Sequence, residues 1–227
     1  MNPLLRLFKS LFKKINYDLI KNKPYDVAKN FPETSEYEKE LFDICSNYSM
    51  TGHDRMFSLM KSLDFIIQNN VDGDFVECGV WKGGNLIMFQ KYVEKYNLNK
   101  KIYAYDTFEG MSPPDKIDKT FDGESASLQL DKLEKKNVDR KKNILIADCS
   151  IEEVKNNFEK YSTKNNLICV KGKVEDTLID KKNLPNKISI LRLDTDWYTS
   201  TKKELEILYP LLEKNGNLLI DDYGYWQ

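Results

Sequence analysis

Two aspartates stand one residue apart in "LRLDTDWYTST" (191–201), directly after an apolar run. Asp194 and Asp196 would weaken the middle of a buried strand, so they belong at its end, where carboxylates can hold a cation or accept a proton. A second acidic pair, Asp221 and Asp222, follows the apolar run "NLLI". Glu77 closes another such run in "DFVECGVWKGGN" (74–85), just before Gly79 and Gly83, and Asp106 closes a further one in "KIYAYDTF" (101–108). With one histidine in the whole chain, a metal site built from imidazoles is excluded. Oxygen ligands suit Mg²⁺ or a similar hard cation.

These carboxylates need a scaffold that gathers strand ends. From residue 74 onward, short apolar runs at 74–80, 101–108, 167–174, 188–194 and 217–223 alternate with helical stretches, which predicts an α/β fold with a parallel sheet. Ligands of such sheets bind outside the carboxyl ends of the strands, near the point where strand order reverses. Each acidic residue alone reads as a solvated loop carboxylate; jointly, at those edges, they describe a site. The alternation of side chains along an extended backbone is expected to put Asp194 and Asp196 on the same face. Ser150 with Glu153 reads as a capping box, and Gly216 follows a helix expected to end near Pro210. Helical patterns run near 36–47 and 54–69, the second with Met56, Leu59, Met60, Leu63, Ile66 and Ile67 as a buried stripe. Residues 107–142 are too long and polar for a tight connection and read as a lid or substrate loop.

The glycine turn narrows the ligand. A dinucleotide site would read G-x-G-x-x-G and a P-loop would end in G-K-[ST]; neither is present. The turn reads E-x-G-x-x-x-G, with Asp106 at the end of the next strand. Carboxylates at those two points suit a cofactor with ribose hydroxyls and a positive methionine end, and would repel pyrophosphate. That is the pattern of S-adenosylmethionine sites.

Composition fits one soluble domain: 227 residues, 41% hydrophobic and 31% charged, are enough for a substantial core. The four cysteines show no C-x-x-C spacing and the N-terminus has no signal-peptide pattern, so a cytoplasmic location is expected. No window approaches the ~18 apolar residues of a membrane span. Leu4, Phe8, Leu11, Ile15 and Leu19 recur at helical spacing among lysines, an amphipathic helix expected to pack on the domain or a second subunit, with peripheral membrane contact as the alternative. No basic stripe with interleaved aromatics follows it, so nucleic acid is not an expected partner.

The blocks "DFVECGVWKGG", "YDTFEGM", "KGKVEDTL", "LRLDTDWYTST" and "LLIDDYGYWQ" stand in the order seen in macrocin-type O-methyltransferases, which the chain resembles over roughly residues 30–227, with "SMTGHDRM" (49–56) similar to the family's entry segment. The resemblance implies a Rossmann-like class I methyltransferase sheet with helices on both faces. It divides the chain into an N-terminal helical segment, 1–72, and an S-adenosylmethionine-binding core, 73–227. It also implies Mg²⁺-dependent methyl transfer to a sugar hydroxyl of a natural-product or polysaccharide precursor. By the same resemblance Asp194, Asp221 and Asp222 hold the metal and Asp196 is the general base. For the cofactor, Glu77, Gly79 and Gly83 are expected around the methionine and ribose end and Asp106 on the ribose hydroxyls. Gly172 and Val174 are expected near the adenine, with Asp176 a weaker candidate and Trp81 set against either the sulfonium or the core. His53 is assigned a structural or surface role and Cys78 that of a small core filler.

Family members continue past "DDYGYWQ" with a helix and two strands, whereas this chain stops at Gln227. The fifth strand is therefore expected to present an unpaired apolar edge, which favours a homo-oligomer or another cover. Two other readings stand beside methyl transfer: a truncated, non-catalytic relative with a binding or assembly role, and a D-x-D glycosyltransferase. The second leaves "ECGVWKGG" and the Asp221–Asp222 pair unexplained.

Overall fold

The computed structural model describes residues 31–134 and 147–226, together with Phe8 and residues 12–14. The expected amphipathic helix falls largely outside the described residues, as does the stretch 135–142 of the expected lid. Residues 35–227 form one compact unit and residues 1–34 another. Among the described residues, no helix is long and apolar enough to cross a membrane.

Before the sheet come α1 (Glu36–Cys45) and α2 (His53–Gln68). A complete capping box starts α1: the Ser35 hydroxyl accepts from Glu38 N, while the Glu38 carboxylate accepts from Ser35 N at 2.7 Å. The strands are β1 (Asp74–Cys78), β2 (Ile102–Asp106), β3 (Leu167–Lys171), β4 (Ile188–Leu193) and β5 (Leu212–Ile220). They pair in parallel in the order β3-β2-β1-β4-β5, so strand order reverses between β1 and β4. Helices α3 (Gly84–Lys95), α4 (Ala126–Glu134), α5 (Ile151–Glu159), α6 (Val174–Thr177) and α7 (Tyr198–Ile207) fill the connections. At α5 the Ser150 hydroxyl accepts from Glu153 N at 3.2 Å, which is the N-cap half of the expected capping box.

Alternation along the strands builds a core on each face. Phe75, Ala104 and Ile190 pack with α1, α2, α3 and α5, including Leu41, Met60, Leu63, Phe89 and Val154. Val76, Cys78, Tyr103, Tyr105, Leu191 and Leu193 pack on the other face with Val174, Leu178, Leu205 and Leu208. Cys78 is fully buried there, a core filler as expected.

Two expectations need correction. Strand β5 begins at Leu212, upstream of Gly216, because "LEKNG" continues pairing with β4 through a register irregularity between Ile188 and Ile190. Asn215, at φ 68°, takes the left-handed conformation that absorbs the extra residues. The presumed lid is also less loop-like than its composition suggests: it contains an antiparallel bridge between Lys119 and Ser125, another between Thr120 and Trp226, and then α4.

The reversal between β1 and β4 brings the loops after these strands into contact. Gly79 has φ +79°, and a Cβ there would stand 2.0 Å from the Asp194 carbonyl oxygen. Only glycine fits, so this residue sets how closely the two loops approach. Gly79→Ala is expected to cost about 3 kcal/mol or more, read from the midpoint of chemical denaturation.

Candidate active site

Register aligns the strand ends in one row. Gly79 N donates to Tyr105 O (2.8 Å), Asp194 N to Cys78 O (2.9 Å), Asp221 N to Leu193 O (3.0 Å) and Gly172 N to Asp106 O (2.9 Å). Above this row opens a cavity of about 830 Å³. Glu77, Gly79, Asp106, Gly172, Val174, Asp194, Asp196, Asp221 and Asp222 all line it, with Trp81 beside them. Gly83 does not line it. Its φ of +86° starts α3, and its missing side chain makes room for Val154 of α5, so its role here is packing. Glu175, and not Asp176, faces the cavity.

One oxygen from each of Asp194, Asp221 and Asp222 can be chosen so that all three lie within 4.8 Å of one another. This donor set fits a hard divalent cation. Asp194 is pushed up to about 6, chiefly by removal from water; Arg192 pulls it down while Asp221 and Asp222 push it up. Asp196 also points into the cavity, but by a different route from an extended strand. Strand β4 ends at Leu193, and Asp196 sits at φ +65°, so a turn presents it. Its Oδ1 accepts from Trp226 Nε1 at 2.9 Å. Burial first, and then the neighbouring Asp222 carboxyl, push Asp196 well above the usual carboxylate range.

The residue that sequence reasoning missed lies beneath these groups. Arg192 is buried, and its Nη1 donates to Glu77 Oε1 and Asp194 Oδ2, both at 2.8 Å. Its Nη2 donates to Asp221 Oδ1 (2.5 Å) and Thr51 Oγ1 (3.2 Å). Arg55, from α2, donates to the other Asp221 oxygen at 2.6 Å. A signal was available: an arginine inside "ISILRL" is an unpaired charge in a fully buried strand, and such a charge demands partners.

At the end of β1, Glu77 accepts from Asn85 Nδ2 at 2.8 Å, and burial pushes its carboxyl up to about 7 despite Arg192 and Asn85. Glu77 Oε2, Asn85 Oδ1 and Trp81 Nε1 are buried without a partner, a deficit that a polar ligand in the cavity would meet. Asp106 is partly committed to the fold: Oδ2 accepts from Val80 N (2.7 Å) and Trp81 N (3.3 Å), and Oδ1 from Phe108 N (2.7 Å). It thereby ties the glycine turn to β2. His53 is buried between Phe42 and Phe57, with ring centroids at 4.6 and 6.2 Å, and packs outside the cavity lining.

An open parallel sheet with an acidic residue at the end of β1, a glycine turn, and a cavity over the β1/β4 reversal is the fold of class I methyltransferases. The chain belongs to the Macrocin-O-methyltransferase (TylF) family, whose pattern it matches over residues 8–227. It is 30% identical over 179 residues to demethyldecarbamoylnovobiocin O-methyltransferase of Streptomyces niveus, covering 78% of this chain and 62% of that protein. It is 27% identical over 179 residues to mycinamicin III 3''-O-methyltransferase of Micromonospora griseorubida, covering 78% of this chain and 65% of that one. The solved O-methyltransferase NovP superposes with a TM-score of 0.62 at 28% identity, over 77% of this chain and 66% of that structure. The chain thus spans less than two thirds of the length of these relatives.

A further carboxyl shapes the Asp194–Asp196 turn from behind. Glu204 of α7 is fully buried, and its Oε1 accepts from Thr195 Oγ1 at 3.0 Å. Burial pushes it up to about 8, with Thr195 and Cys78 acting in the opposite direction. A carboxyl raised on folding contributes stability that is complete below its usual value and is lost as pH rises through about 8. Glu204→Gln is therefore expected to flatten the fall in melting temperature across that window. Its Tm relative to the unsubstituted chain should improve by ~5 °C between pH 5 and pH 9, measured by differential scanning fluorimetry.

Proposed function

We propose that the chain transfers a methyl group from S-adenosylmethionine to a sugar hydroxyl of a glycosylated small molecule, with a hard divalent cation such as Mg²⁺ held by Asp194, Asp221 and Asp222. The observation that carries this reading is the placement of that carboxylate triangle and the Glu77–Gly79 turn on one cavity. The family relatives modify novobiocin- and mycinamicin-type molecules, which points to an acceptor of similar chemistry.

In this reading Glu77 and Asn85 hold the polar end of the methyl donor, using the buried atoms that lack protein partners. Gly172 and Val174, beyond β3, border its adenine end, and Asp106 meets the ribose while also bracing the turn. The cation, when bound, would stabilise the acceptor oxygen as its proton leaves. Asp196 receives that proton, and the Trp226 indole N–H fixes the direction of the carboxyl. Thr107, Gly110, Met111 and Ser112, together with Tyr225 and Trp226, also line the cavity, and in this reading the acceptor enters between these two segments. With the reacting atoms held in line, positioning supplies much of the rate.

Mass spectrometry after incubation with labelled S-adenosylmethionine, Mg²⁺ and a panel of glycosylated acceptors should find a labelled methyl ether. Asp196→Asn should lower turnover by ~10²–10⁴-fold while leaving S-adenosylhomocysteine affinity unchanged. Transfer from a nucleotide sugar without methylation would replace this reading with a glycosyltransferase. Failure to bind both S-adenosylmethionine and Mg²⁺ in calorimetric titration would replace it with a non-catalytic role.

A further inference from the structure

Arg192 lies beneath the cavity and bonds to residues on both sides of its lining. Its Nη1 is shared between Glu77, on the donor side, and Asp194, in the metal triangle, at 2.8 Å each. Its Nη2 holds Asp221, the second member of the triangle. Glu77 and Arg192 are register partners on adjacent strands, so the bridge lies across the β1/β4 reversal itself. The Arg192 and Glu77 side chains are 4% and 1% exposed, so water screens little of this interaction. The guanidinium is held charged by Asp194, Glu77 and Asp221.

We propose that Arg192 is a positioning residue that couples the two sites, so that cation and methyl donor bind cooperatively. This rests on the functional reading above and deepens it. With the triangle empty of a cation, Arg192 must neutralise Asp194 and Asp221 as well as Glu77, and Nη1 divides its attraction between two carboxylates. A cation among Asp194, Asp221 and Asp222 would take over that neutralisation, leaving Nη1 of Arg192 to Glu77. Glu77 is thereby held in the pose that lines the donor cavity, with Oε2 presented to the ligand. The effect is reciprocal by linkage: a donor held by Glu77 in that pose strengthens cation binding by the same factor. Arginine suits this role because its planar fork can serve several acceptors at once, whereas lysine offers a point charge.

The test is a thermodynamic box on the intact chain, using S-adenosylhomocysteine as the donor probe and MgCl₂ as the cation probe. Calorimetry should show each ligand tightening the other by about fivefold or more, with the same factor in both directions. Arg192→Lys should reduce that factor toward one. A structural role alone would lower the melting temperature without changing the factor. If the variant does not fold, guanidinium NMR of the unsubstituted chain supplies the second reading, since only four arginines contribute signals. The Arg192 resonances should shift on adding either ligand. Independent binding of the two ligands, or Arg192 resonances indifferent to both, overturns the coupling while leaving the methyltransferase reading in place. No binding of S-adenosylhomocysteine under any condition overturns that reading and the coupling with it.

Discussion

A buried positive charge organises this molecule. Arg192 lies inside a strand whose other residues are all buried, and burying such a charge without partners would be prohibitive. Glu77, Asp194 and Asp221 supply the partners, and each sits at or next to the end of a different strand. The carboxylates in turn need the guanidinium, because gathering them at the sheet's edge without a cation would set like charges against one another. Opposite charges on neighbouring strands thus hold the site together before any ligand arrives.

Around this centre, segments outside the sheet are fastened to the residues at its edge. Thr51, just ahead of α2, and Arg55, within its first turn, reach Arg192 and Asp221, so the helical segment closes the site from one side. From the other side the fully buried Asp118 accepts from Tyr198 N at 2.9 Å, placing a carboxylate at the start of α7, where the helix dipole favours it. Trp197 Nε1 donates to Ser112 O at 2.8 Å, and Phe121 N to Tyr225 O at 2.9 Å. The polar stretch after β2 is therefore anchored at several points to the residues that follow Asp196 and to the C-terminal turn. Trp226, packed edge-on against Trp197 with centroids 5.0 Å apart, joins the same cluster and reaches Asp196.

Much of this was legible in the chain. The five apolar runs became the five strands, and the carboxylates that closed them came together because parallel pairing in register puts successive strand ends on one edge. Other features were not legible. Gly83 and Gly79 look alike in sequence, yet Gly83 clears space for Val154 while Gly79 clears space for Asp194. Local sequence cannot distinguish the two, because the atoms that demand the glycine come from segments 71 and 115 residues away.

What the sequence determined by itself was the donor chemistry: oxygen ligands without imidazole, acidic residues at strand ends, and a glycine turn unsuited to pyrophosphate. These follow from residue types and spacings of two to four, which constrain local backbone and little else. Only the tertiary structure decided that Arg192 would stand between Glu77 and the Asp194–Asp221 pair, that a left-handed turn would present Asp196, and that Trp226 would bond to it. Those outcomes depend on which strand lies beside which, and that neighbourhood arises from burying two apolar faces at once, a requirement of the whole chain that no short window contains.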